Sequence, residues 1–69
     1  MEILLAILLY LQLIMSPGTY TQTHINQLEM SNRPQINAVQ ADPVQMEIVN
    51  RDFLPQVEHI IVINDQHKD

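Results

Sequence analysis

The hydrophobic positions of this chain are distributed unevenly. Residues 3–15 read Ile-Leu-Leu-Ala-Ile-Leu-Leu-Tyr-Leu-Gln-Leu-Ile-Met, interrupted only by Gln12 and ended by Ser16-Pro17-Gly18. These are good helix formers running up to a Pro-Gly stop, so the pattern predicts an apolar helix. The next stretch, residues 19–41, is dominated by Thr, Gln, Asn and Ser. Its apolar residues Ile25, Leu28 and Met30 sketch little more than one helical turn, and Pro34 biases Arg33 away from helical backbone. We expect this stretch to be flexible or transiently helical.

From Asp42 the pattern tightens. Asp42-Pro43-Val44-Gln45 is a helix start: Asp accepts from free backbone N–H groups, Pro suits the first turn, and Gln at the third position completes a capping box. Pro55 supplies a stop, which places a short helix near 43–53. The interior argues differently, since Val44, Met46 and Ile48 alternate as in a strand; the end signals carry the assignment to helix. Val57-Glu58-His59-Ile60-Ile61-Val62-Ile63 is rich in β-branched residues and bounded by Pro55 and Asn64-Asp65, so it reads as a short strand near 57–63. Four consecutive apolar residues suit a strand buried on both faces, or one that pairs with the sheet edge of another chain.

The apolar leader admits three fates. As a helix it extends ~20 Å, short of a ~30 Å hydrocarbon core, which fits a signal-peptide core better than a membrane span. Ser16 and Gly18 place small side chains one and three residues before a cut between Gly18 and Thr19. The expected organisation is therefore a signal peptide over 1–18, a flexible polar segment over 19–41, and a binding segment with a polar tail over 42–69. The Met1-Glu2 start lacks the usual basic residues. A membrane anchor reaching to about residue 21 is the main alternative, and a buried core helix the third.

Composition sharpens this division. Residues 1–18 hold 13 apolar residues, whereas residues 19–69 hold 19 of 51. Taken without the leader, that second part is too polar to bury a core readily, and a segment of ~50 residues buries only about 60% of its unfolded surface. The expected fold class is thus little regular structure: the apolar helix, then a largely disordered chain with the short helix and strand. No Cys is present, which excludes disulfide scaffolds, thiol nucleophiles and Cys-based metal sites. The net charge is −5, and Arg33, Arg51 and Lys68 are isolated from one another. Nucleic-acid binding rests on clustered basic residues, so no nucleic acid is expected as a partner.

Candidate chemistry is sparse. His59, Asp65 and His67 do not have the spacing of a compact metal site, so no metal or other cofactor is expected. No Gly-x-Ser-x-Gly elbow or phosphate-cradling loop occurs, Gly18 being the single glycine, and an enzyme is not expected. No motif identifies a family. The sequence thus reads as a small, acidic, secreted, non-enzymatic peptide that binds a protein partner or receptor through Phe53, Leu54, Ile60, Ile61 and Ile63. The alternative is a single-pass membrane microprotein that modulates a larger membrane complex, touching the bilayer only through an uncleaved leader.

Overall fold

The computed structural model describes residues 2–66. Helix α1 (Glu2–Tyr10) is followed by an irregular turn and strand β1 (Gly18–Thr21). Three helices come next: α2 (Gln22–Ser31), α3 (Arg33–Gln40) and α4 (Pro43–Ile48). A π-helical turn (Val49–Phe53) and a 3-10 helix (Leu54–His59) lead into strand β2 (Ile60–Ile63). The two strands pair in parallel, Gly18 opposite Ile60 and Thr21 opposite Ile63, so the whole helical stretch forms one long crossover.

The leader is the centre of the fold. Leu5 to Leu9 are five consecutive buried residues, and at 100° per residue they face every direction around the helix. A helix apolar on all sides must be surrounded. Here α3, the π-helical turn and the 3-10 helix surround α1. Among the described residues, six of the twelve buried apolar ones (Leu5, Ala6, Ile7, Leu8, Leu9, Ile14) come from this segment. No described helix is long and apolar enough to cross a membrane.

The helix is shorter than the apolar run because Gln12 turns it. The Gln12 φ is 64°, in the left-handed region. Its N–H bonds the Leu9 carbonyl at 3.0 Å, and the Leu13 N–H bonds the Leu8 carbonyl at 2.9 Å. That pair of bonds is a Schellman termination, with the one polar residue of the run at its exposed corner. The chain doubles back there, and Ile14 returns to the core.

The expectation of a largely disordered chain is overturned. The radius of gyration is 12.1 Å, close to the ~11 Å of a folded chain of this length and far from ~25 Å unfolded. Residues 19–41, expected to be flexible, form β1, α2 and α3. Each of these helices offers a narrow apolar stripe, Ile25 with Leu28 on α2 and Ile36 with Val39 on α3, spaced three apart on one face. Such stripes cannot make a core by themselves, but they cover one supplied by α1. Local caps support them. The Thr21 hydroxyl accepts from the His24 N–H at 3.1 Å. Asn32 donates its backbone N–H to the Leu28 carbonyl at 3.0 Å and its side-chain amide to the same oxygen at 2.9 Å.

The helix expected near 43–53 is α4 continued by the π-helical turn, and the strand expected near 57–63 is shortened, its first half being the 3-10 helix. At the start of α4, Asp42 accepts from the Val44 N–H at 2.9 Å. The Gln45 side-chain amide reaches the other Asp42 oxygen at 2.9 Å, and its carbonyl accepts from the Tyr10 hydroxyl at 3.0 Å. The capping residue and the central helix are therefore linked through one side chain.

Candidate functional site

The sheet separates the expected binding anchors into two groups. Along β2, Ile60 is 9% exposed and joins the core, whereas Ile61 and Ile63 are 61% and 51% exposed. Side chains alternate across a strand, so Ile61 and Ile63 share the outer face and Ile60 and Val62 the inner. Parallel register sets Thr19 beside Ile61 and Thr21 beside Ile63. The outer face is thus a small patch of four β-branched side chains, two of them large and apolar. Among the described residues the sheet has two strands, and the far side of β2 has no strand partner among them. Backbone groups along such an edge are a template for a further strand.

The other anchors are engaged inside the fold. The Phe53 ring meets the Tyr10 ring edge-on, with centroids 5.6 Å apart and planes at 77°. Phe53 and Leu54 are half-buried against the core, so both serve folding before any partner. Neighbouring apolar residues had pointed to all five anchors alike; strand alternation alone distinguishes Ile61 and Ile63.

The residues assigned to leader cleavage occupy a different structural setting. The Ser16 hydroxyl donates to the Gln56 carbonyl at 3.2 Å. Gly18 and Thr19 lie within β1, paired with Ile60 and Ile61, so the bond between them is strand backbone in the folded chain. Gly18 is also crowded: a Cβ there would stand 2.7 Å from the Met15 carbonyl oxygen and 2.8 Å from Cε2 of Tyr20. The Tyr20 hydroxyl closes the turn, accepting from the Met15 N–H at 2.8 Å and donating to the Met15 carbonyl at 3.4 Å. Packing provides a reason for glycine at this position that is independent of cleavage.

Beyond the patch, the polar features are mainly caps and ties. The Asp65 carboxylate accepts from the Thr23 N–H and the Thr23 hydroxyl, both at 3.0 Å. It thereby fastens the segment after β2 to the start of α2, where negative charge is favoured. The Gln45 amide and the Val44 N–H hold the Asp42 carboxyl below its ordinary range. Arg51 and Asp52 form an exposed ion pair at 3.0 Å that raises the guanidinium and lowers the carboxyl. Exposed pairs of this kind contribute little to stability. Among the described residues, no group of three His, Asp or Glu stands close enough together to hold a metal ion. His67, considered with His59 and Asp65 in that connection, lies outside the described residues. Comparison with protein-family models, with curated proteins and with solved structures finds no match.

Proposed function

We propose that the protein acts without catalysis, by binding a protein partner on the outer face and free edge of its sheet. The carrying observation is that Ile61 and Ile63 are exposed on a strand that, among the described residues, has a pairing partner on one side only. A partner strand added along β2 gains backbone bonds, and the two isoleucines give it apolar anchors. Burying each is worth roughly 1.5–3 kcal/mol before ordering costs are subtracted. The test is proximity cross-linking in the source cells with identification by mass spectrometry, run on the full chain, on Ile61→Asp and on Val44→Asp. Val44 is 68% exposed and lies on α4 rather than on either strand, so it controls for surface charge. A partner held by the native chain and Val44→Asp but lost by Ile61→Asp supports the proposal. Equal capture by Ile61→Asp, or no specific capture, overturns it.

Export through residues 1–18 is proposed on separate grounds: the length of the apolar run and its Ser16-x-Gly18 ending. It makes the opposite demand on the leader from the fold, since the same side chains form half of the described core. Intact-mass analysis separates the two. A product in the medium that starts at Thr19 supports export with cleavage and overturns binding through the folded sheet, which needs the leader as its core. A cell-retained chain still carrying Met1 overturns it and leaves the binding proposal standing.

A further inference from the structure

A groove of about 530 Å³ runs between the start of α1, the 3-10 helix and the inner side of β2. Leu5, Leu54, Val57, Ile60 and Val62 make its apolar lining. Glu2 and Glu58 supply two carboxylates, and among the described residues no Lys or Arg lines it. The volume is that of a small-ligand pocket, and the mixture of apolar walls with a few charges of one sign is how such pockets orient a ligand.

From this geometry we infer that the groove binds a small amphipathic cation: a hydrocarbon body carrying one ammonium or guanidinium group. The body lies along Leu54, Val57 and Val62, and the cationic head sits by Glu2 and Glu58. Two physical comparisons set the sign of the preferred charge. The start of α1 carries about half a positive charge, which the full charge of Glu2 outweighs. Among the described residues the nearby basic group is His59, whose Nε2 lies 3.4 Å from the Glu58 carboxylate, so a ligand's cation shares Glu58 with it. This site is on the opposite face of β2 from Ile61 and Ile63 and stands or falls independently of the partner proposal.

The test is an amide-shift titration of the full chain by nuclear magnetic resonance with hexylammonium, with hexanol and hexanoate as probes of the same hydrocarbon length. Saturable shifts at Leu5, Val57 and Ile60 with hexylammonium, up to about fivefold tighter than with hexanol and absent with hexanoate, are expected. The double substitution Glu2→Gln with Glu58→Gln should bring hexylammonium to the level of hexanol. Should that variant not fold, added salt on the native chain gives the same reading, since screening weakens the ammonium and spares the alcohol. Equal shifts by all three probes, or hexylammonium shifts scattered over distant carboxylates such as Glu29 and Glu47, would overturn the site.

Discussion

Replacing Gly18 with alanine sets packing against processing. In the folded chain the new methyl group would stand 2.7 Å from the Met15 carbonyl oxygen and 2.8 Å from the Tyr20 ring. Both are closer than nonbonded carbon tolerates, and the Met15 oxygen is backbone held by the Tyr20 hydroxyl, so the turn must move. Overpacking of this kind costs about 1–3 kcal/mol. Gly18 has no left-handed φ, so alanine adds no backbone strain there. Alanine also restricts the unfolded chain, which returns about 0.4–1 kcal/mol. At the middle of both ranges the net is a destabilisation of about 1.3 kcal/mol, or roughly 5–10 °C in the melting temperature of so small a domain. Thermal melts followed by circular dichroism on the full chain measure it, and a melting temperature equal to or above that of the native chain would refute the packing argument. The processing argument gives a different forecast for the same variant. Alanine is an accepted small residue before a signal-peptidase cut, so release into the medium should continue for Gly18→Ala and stop for Gly18→Leu.

Three further substitutions or deletions probe the fold. Gln12→Gly should raise stability by about 0.5–1 kcal/mol, because relief of left-handed strain (about 1–2 kcal/mol) exceeds the extra flexibility of glycine (about 0.5–1 kcal/mol); an unchanged or lower denaturation midpoint argues against the Schellman turn. Removing residues 1–18 takes away Leu5, Ile7, Leu8, Leu9 and Ile14 together. At roughly 1.5–3 kcal/mol each this exceeds the ~3–5 kcal/mol a core of this size supplies, so residues 19–69 alone should show no cooperative melt. Asp42 titrates below its ordinary value of 3.8 in the fold, so its contribution is fully present above that pH and is lost as pH falls through the lowered value. Asn caps a helix as well as Asp does, so Asp42→Asn should flatten the acid limb of the stability curve below about pH 4 while nearly preserving the neutral value; parallel limbs in the two proteins would exclude the cap as the cause.

Much of the local structure was written in short-range signals. The apolar run forms the helix its residues favour, Asp42-Pro43 starts a helix, and Ile60 to Ile63 form a strand. These features depend on neighbours within one or two turns, and that is the range over which caps, prolines and β-branching act. The polar stretch 19–41 escaped such reasoning because its two-residue stripes are too sparse to predict a core. They become sufficient only against another apolar surface, and in the folded chain α1 supplies it.

The sequence by itself settled helix-forming and strand-forming stretches, the missing cysteines and the scattered basic charge, all of which are local or compositional properties. Tertiary structure alone decided that α1 stands at the centre, that β1 pairs with a strand some forty residues later, and that Ile61 and Ile63 point outward while Ile60 points in. The reason is that burial belongs to pairs of distant surfaces. Four successive apolar residues carry no mark of which face will be covered until the chain has closed around its most apolar helix.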